Sequence, residues 1–449
     1  MWFVLEYLLL LVLGSALAYA LYSAIQVRRS AQSSLAWVLF IILVPYLAVP
    51  IFFLLGFRKT STRYAPLVIT PLRKAPPQDH PAAELLAKIG APAAYGGQEI
   101  TLHQSPAEAL AALEALVEGA RERLDILIYI LANDASGRRF VERLTEKAKA
   151  GVAVRLNIDW LGSLRPPRRE LRAFQRAGGE LRYFSPLLHW ADKGQLNLRN
   201  HRKLVIADNA ALWAGGRNIG DDYLKAQQGA FVDLSFSLRG PMVLSFAQVF
   251  SADWDVTGGS APPPLSEPDP AGEAICQMLP AGPDEPKDIL YHGLLGLIHR
   301  ANSRIWIASP YFVPTDNLAQ ALGLAAARGL DVRLFLPEKS DQIITDFARG
   351  PYLRRLAKLG CKIEHFQGGM LHAKAGLIDD FGWLGSANFD TRSMHLNFEL
   401  TLFTYSAAEV AALDKWFSGL EPHCETGVRI PTWIRRILES IFRLGAPVL

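Results

Sequence analysis

From about Glu99 to Leu449 the chain repeats itself, and a duplication of this kind admits few architectures. Arg123–Leu131 (RLDILIYIL) reads as a strand, and its counterpart is Arg304–Ala308 continued by Tyr311-Phe312-Val313 (RIWIASPYFV). A polar-faced helical stretch and a short strand follow in each half, GVAVRLNI from Gly151 matching GLDVRLFL from Gly329. Then LRAFQRAGGELRYF from Leu171 matches LRRLAKLGCKIEHF from Leu353, helix into Gly into strand. Each unit is about 110 residues of alternating helix and strand, which predicts a layered α/β structure. The period far exceeds that of solenoids, so a duplicated domain is the better reading. The expected organisation is a first domain over 99–260, a Pro/Gly/Asp-rich joint over 261–288 and a second domain over 289–449. Residues 61–98, Pro- and Ala-rich with little periodicity, read as a linker.

Each half ends in the same constellation. The first is His201-Arg202-Lys203 with Asp208, followed by Gly215-Gly216-Arg217-Asn218. The second is His372-Ala373-Lys374 with Asp379, followed by Gly385-Ser386-Ala387-Asn388. Both are H-x-K-x4-D, in apolar-rich segments with turn residues after the Asp, so each predicts a strand entering a hairpin. Residues i and i+2 of a strand share a face. His and Lys should therefore project into one site, with Leu204 and Ile206 facing the opposite layer. The pairing suits phosphodiester chemistry. A neutral imidazole serves as nucleophile or proton carrier near neutral pH. Lys is a fixed cation for non-bridging phosphate oxygens, and Asn adds a neutral donor. Two copies at matching places of a duplication make chance an unattractive explanation.

Ahead of the repeat lies concentrated apolar sequence. Tyr7–Ile25 is 19 residues without a charge, and Leu35–Phe57 is 23 more. A bilayer core needs about 20 helical residues, so residues 1–60 predict a hairpin of two spans. A cleaved leader fits less well, because no Lys or Arg precedes Arg28. Arg58, Lys59, Arg63, Arg73 and Lys74 on one side outnumber Arg28 and Arg29 in the loop, which favours a cytoplasmic body on an inner membrane. Lys+Arg 47 against Asp+Glu 43 leaves only +4, which gives nucleic acid little to bind. The three cysteines are scattered, and the ten histidines show no ligand spacing, so no metal is expected.

The paired motifs resemble those of the phospholipase D superfamily, and within it the chain looks similar to the bacterial cardiolipin synthases. Pro310-Tyr311-Phe312-Val313-Pro314, Arg392-Ser393, Leu396-Asn397-Phe398-Glu399, Asp233, Gly240-Pro241 and Asp253-Trp254 all fit that family. The resemblance implies two α/β/α domains around one shared active site, and exchange between two phosphatidylglycerol molecules giving cardiolipin and glycerol through a phosphatidyl-histidine. It implies His201 as nucleophile and His372 as acid and base, with Glu399 orienting His201 and Asp233 orienting His372. Lys203, Lys374, Asn218, Asn388 and Ser386 would hold phosphate. Asp208 and Asp379 belong to the motif, though as turn carboxylates they more readily fix the hairpins than touch phosphate. Gly216 departs from the family, which carries Ser or Thr there, and so removes a hydroxyl from one half.

Diester exchange is close to neutral in energy and the covalent intermediate conserves the bond, so no cofactor is expected. The chain has no G-x4-G-K-[ST] loop, nor the D-G-x2-A-R signature of enzymes using a CDP-activated lipid. The expected partners are membrane phosphatidylglycerol and cardiolipin, with self-association allowed and no nucleic acid. Hydrolysis to phosphatidic acid is the alternative reading of the same site. Two features stay open. Arg165, Arg168, Arg169, Arg172, Arg176 and Arg182 either meet an anionic surface or form a solvated face. Thr432–Leu444 is amphipathic, and either lies in the membrane interface or packs on the body.

Overall fold

The computed structural model describes residues 2–26, 31–55, 64–185, 197–259 and 266–444. The repeat is visible strand by strand. The first half supplies β1 (Tyr95–His103), β2 (Arg123–Ile128), β3 (Ala153–Asp159), β4 (Glu180–Phe184), β5 (Leu204–Ala207), β6 (Ala211–Gly215) and β7 (Ser235–Arg239). The second supplies β8 (Ala274–Ala281), β9 (Arg304–Ala308), β10 (Phe312–Val313), β11 (Asp331–Pro337), β12 (Lys362–Phe366), β13 (Ala375–Ile378), β14 (Phe381–Gly385), β15 (Phe389–Asp390), β16 (Glu399–Thr404) and β17 (Cys424–Thr426). Among the described residues one sheet runs β17-β12-β11-β9-β13-β14-β16-β8-β1-β7-β6-β5-β2-β3-β4, with β10 and β15 paired separately. Outward from the antiparallel β1–β8 seam, both directions pass through the same order of elements. That is the arrangement of an approximate two-fold axis.

The strands β2, β3 and β4 pair in parallel, as do β9, β11 and β12. Parallel strands need crossover helices that cover the sheet, so they read as continuous apolar runs; Leu124–Ile128 are all buried. The crossover helix Ala135–Lys149 turns Phe140, Val141 and Leu144 inward at helical spacing, and Asp134 caps it by accepting from the Gly137 N–H at 2.9 Å. Burying each such apolar side chain contributes about 1.5–3 kcal/mol. On the opposite face the helices Val243–Val256 and Ala407–Leu420 bury Phe246, Phe250, Trp254, Trp416 and Phe417 in one core that also takes Leu204, Ile206, Leu377 and Trp306. Leu204 and Ile206 thus face away from Val205 and Ala207, which pack in the outer layer, as the alternation predicts. Because that core draws on both halves, they fold as one body.

Two segments differ from expectation. Residues 64–98 are no free linker: Leu72 and Ala75 enter the central core, and the helix Pro81–Lys88 buries Leu86 against Leu294 and Leu297. Glu267 accepts from the Arg73 and Lys74 N–H groups at 2.9 and 2.8 Å. The region looked structureless because its apolar residues fall in runs too short to show a period. The joint 261–288 likewise contains β8, a central strand hidden between prolines. A chain starting at residue 64 should therefore melt with the full chain's body. One starting at 99 loses Tyr95, Leu86 and Leu72 and should unfold at least about 10 °C lower by circular dichroism, since several kcal/mol of burial goes with them. Equal melting of the two would refute this.

At the N-terminus, α1 (Trp2–Gln26) packs on α2 (Ala31–Leu43) and α3 (Pro45–Leu55). The second apolar run is divided at Val44. Ala20, Ala24, Ile41, Ala48 and Phe52 are buried between the helices, with Trp37 edge-on to Phe52 at 5.2 Å. Among the described residues no helix is long and apolar enough to cross a membrane, so the two expected spans stay unsupported here. The cations Arg28, Arg29, Arg58, Lys59 and Arg63, and Pro262-Pro263-Pro264, lie outside the described residues.

Candidate active site

Each His-x-Lys lies just before its strand, in an extended segment that crosses to the other half. The expectation that it sits inside the strand is corrected here. The His201 N–H donates to the Phe398 carbonyl at 2.9 Å, and the Phe398 N–H donates to the Arg199 carbonyl at 2.9 Å. Correspondingly, the His372 N–H donates to the Val232 carbonyl at 2.7 Å, and the Val232 N–H to that of Met370 at 2.9 Å. The backbone of each motif is thus satisfied by the other half, beside that half's carboxylate residue. The β5 and β13 ladders begin only one residue past each Lys.

The side chains complete a reciprocal exchange. His201 Nδ1 lies 3.1 and 3.0 Å from the Glu399 oxygens, and His372 Nδ1 lies 2.6 Å from Asp233 Oδ2. All four are buried; His201, the most open, is 7% exposed. Burial drives the His201 imidazole down to about 4, against the opposing pull of Glu399. Burial and then Lys374 drive His372 down to about 3, against Asp233. Burial alone would raise both carboxylates, but His201 and Lys203 hold Glu399 low, and Lys374 and His372 hold Asp233 low. The result is two neutral rings on two anions. A ring whose Nδ1–H is held by a carboxylate keeps its Nε2 lone pair for chemistry.

The lysines differ. Lys203 Nζ donates to the His201 carbonyl at 2.6 Å and lies 5.2 Å over the Tyr129 ring. Lys374 Nζ likewise donates to the His372 carbonyl, but it also packs against that histidine's ring, 2.7 Å from Nδ1 and 3.0 Å from Nε2. Burial depresses both amines, Lys374 to about 8 and Lys203 well below its ordinary value. Each Lys also lowers the imidazole of the other motif, so the two motifs share one electrostatic site.

The remaining expected residues divide. Ser386 does not face an open phosphate position; its hydroxyl donates to Glu399 Oε2 at 2.5 Å, while the Ser393 hydroxyl donates to Oε1 at 2.8 Å. The Ser386 and Gly216 N–H groups make matching bonds, each 2.9 Å, to the Leu400 and Leu234 carbonyls. That makes Asp233 the counterpart of Glu399, and it explains Gly216: a Cβ there would lie 2.2 Å from Asp233 Oδ1. The shorter carboxylate occupies the space of the missing serine side chain. Asn218 Oδ1 accepts from the Ile130 N–H at 3.1 Å, whereas Asn388 Oδ1 is buried without a hydrogen bond.

Asp208 and Asp379, grouped with the catalytic residues in the motif, do not join them. Asp208 accepts from the N–H groups of Arg121, Glu122 and Arg123 at 2.7–2.8 Å. Asp379 accepts from those of Asn302, Ser303 and Arg304 at 2.9–3.1 Å. Each clamps the start of the neighbouring strand, from a left-handed turn position with φ 51° or 50°. Five residues of strand carry them to the far end of the ladder.

Arg202 was missed. Fully buried, it donates to Asp253 at 2.7 Å, to the Asp284 carboxylate at 3.0 Å and to the Glu399 carbonyl at 3.2 Å. It fixes the backbone that carries Glu399, and its removal would strand two buried carboxylates, typically a cost of about 3–5 kcal/mol. Its only sequence signal is a charge between two site residues. The rings of Tyr223 and Phe231 lie 5.2 and 5.6 Å from His372, and Tyr129 lies 4.7 Å from His201. Among the described residues no group of three or more His, Cys, Asp or Glu is placed to hold a metal.

Comparison with known proteins gives this geometry a context. The family model described as "Cardiolipin synthase, PLD-like domain" matches residues 113–254 and 294–420, and a "Phospholipase_D-nuclease N-terminal" model matches 16–56. Cardiolipin synthase A of Pseudomonas fluorescens (strain SBW25) is 31% identical, covering 86% of this chain and 85% of its own. That of Pseudomonas entomophila (strain L48) is 30% identical over 85% and 84%. Among solved structures, phosphatidylserine synthase of Haemophilus influenzae aligns with a TM-score of 0.63 at 14% identity, covering 78% of this chain and 95% of that one. That likeness concerns the fold alone.

Proposed function

Since the chain belongs to the cardiolipin synthase family built from phospholipase D-like domains, we propose that its paired site moves a phosphatidyl group from one phosphatidylglycerol to another through His201. The protein is a cardiolipin synthase, a phosphatidyltransferase; the residue roles are our reading. The observation that carries it is the exchanged pairing of His201 with Glu399 and His372 with Asp233. His372 takes up a proton at Nε2 from solvent as substrate binds. His201 Nε2 attacks phosphorus, the bond to glycerol oxygen breaks, and His372 delivers that proton to the departing oxygen. His372 then takes the proton from a hydroxyl of the second phosphatidylglycerol, whose oxygen displaces His201 and yields cardiolipin. Lys203 and Lys374 neutralise the non-bridging oxygens. A donor of this kind is typically worth about 3–4 kcal/mol in the transition state. When phosphate draws Lys374 off the His372 ring, that imidazole is freed to carry a proton.

Burial of both rings favours a lipid hydroxyl over water as acceptor. Pure phosphatidylglycerol should therefore yield cardiolipin and glycerol. Phosphatidic acid as main product would replace transfer by hydrolysis. The pH profile follows from the same groups. With His201 depressed to about 4 and Lys374 to about 8, kcat/KM should fall with acid below about pH 5, as the nucleophile protonates, and with base above about 8, as Lys374 loses its charge. Activity rising through pH 9 would contradict the role of Lys374.

The apolar exterior of the N-terminal helices, with Leu43 and Tyr22 exposed at 75% and 62%, supports a bilayer location for this end of the chain. The excess of cations following the second apolar run supports a cytoplasm-facing body on the inner membrane.

A further inference from the structure

A second cationic cavity lies under the C-terminal helix Trp433–Leu444. Its volume is about 230 Å³, and it is lined by Lys339, Arg349, Arg354, Arg429 and Arg435. It shares no residue with the histidine site. The carboxylates in its wall are each paired with an arginine, although Asp346 Oδ1 makes an ion pair without a hydrogen bond. Glu439 accepts from Arg354 at 2.6 Å and Arg435 at 3.1 Å, Glu338 pairs with Arg429, and Asp346 pairs with Arg349 Nη2 at 3.0 Å. Five cations against three acids leave a net positive cavity.

Two buried nitrogens in it lack partners, one of them a guanidinium donor. Arg349 is 5% exposed, and its Nη1 makes no hydrogen bond. His365 Nδ1 makes none either; the Glu338 carboxylate is 3.6 Å away. A buried guanidinium N–H without an acceptor is unfavourable, and an anion entering the cavity would supply one. The roof supplies a direction of approach. The helix sets Arg435 and Glu439 toward the cavity and stacks Phe442 on Phe347 at 5.4 Å. Its opposite face leaves Trp433, Ile434 and Ile437 exposed at 72%, 55% and 50%, and Ile343 on the cavity lip is 71% exposed. An apolar face turned outward beside a cationic cavity matches a phospholipid, with its phosphate in the cavity and its chains along the helix.

We propose that this cavity is a second phosphate-binding site, taking the phosphodiester headgroup of an anionic membrane lipid. It goes beyond the transfer chemistry and does not depend on the histidine roles. The test uses the full chain in detergent with a photoreactive dihexanoyl phosphatidylglycerol, followed by peptide mapping. Label should appear in the peptides containing Arg349 and Arg429 as well as near His201. Arg349→Gln should lower labelling of those peptides about tenfold or more, with labelling near His201 unchanged. If that variant does not fold, Lys339→Gln with Arg429→Gln, both on the exposed rim, replaces it. Displacement of the label by unlabelled lipid but not by inorganic phosphate supports the headgroup. Equal displacement by both overturns the lipid assignment in favour of free phosphate. Absence of label from these peptides, or labelling unmoved by the substitutions, overturns the site and leaves the transfer reaction standing.

Discussion

Enzyme quenched during turnover should carry its phosphatidyl group on His201, and His201→Asn should abolish that adduct and lower turnover by at least about 10⁴-fold. Asn keeps a polar side chain near Glu399 but offers no lone pair to phosphorus, so no covalent route remains. His372→Asn acts differently. It removes the acid that protonates glycerol and the base that activates the acceptor, each typically worth about 10²–10⁴-fold. Its defect should therefore depend on the leaving group. With a phosphatidyl ester whose leaving group needs no proton, the His372→Asn enzyme should accumulate label on residue 201, because Glu399, itself held by Ser386 and Ser393, still orients that ring. Mapping of the adduct to residue 372 in the unsubstituted enzyme would reverse the assignment and leave the paired chemistry in place.

The difference between the lysines makes this asymmetry physical. Both lysines donate to the carbonyl of their own histidine, but Lys374 also rests on the ring of His372, while Lys203 lies over Tyr129. On the proposed roles, His201 would meet substrate with no lysine against its ring among the described residues. Phosphate that draws Lys374 away should, on the same roles, change the environment of His372, which suits a group that must gain and lose a proton within one cycle.

The duplication and the two His-x-Lys pairs were legible because local spacing carries them. The partners Glu399 and Asp233 were not legible from spacing, since each lies in the opposite half of the chain from its histidine; only resemblance pointed to them. The aspartates of the motif were legible as turn carboxylates despite their grouping with the catalytic residues. Only the motif groups Asp208 and Asp379 with the site, and a strand separates positions five residues apart by its own length. The helix Pro81–Lys88 and strand β8 escaped because their partners in the core are supplied by distant segments. The amphipathic pattern of the C-terminal helix allows either an interfacial or a packed position; the helix packs through Phe442 and Glu439 while its apolar stripe stays exposed.

Gly216 gives the sharpest check on the exchanged pairs. Gly216→Ser should cut turnover by about 10²–10⁴-fold, the range for losing a carboxylate that orients a catalytic imidazole. The backbone is no obstacle, because Gly216 is not among the left-handed glycines. The obstacle is the side chain. A Cβ at this position meets Asp233 Oδ1 at 2.2 Å, so Asp233 must leave the place where it accepts from the Leu234 N–H at 2.7 Å and holds His372 Nδ1 at 2.6 Å. The second half shows how the conflict resolves, with Ser386 beside the longer Glu399, its hydroxyl donating to the carboxylate. Gly216→Ser combined with Asp233→Glu copies that arrangement and should recover activity to within about tenfold of the parent, a coupling far outside additivity. Asp233→Glu alone crowds the site against Gly216's neighbours without a serine donor and should stay impaired. Full activity in the Gly216→Ser single variant would show that Asp233 need not sit where it does, and would remove the orienting role from the pair.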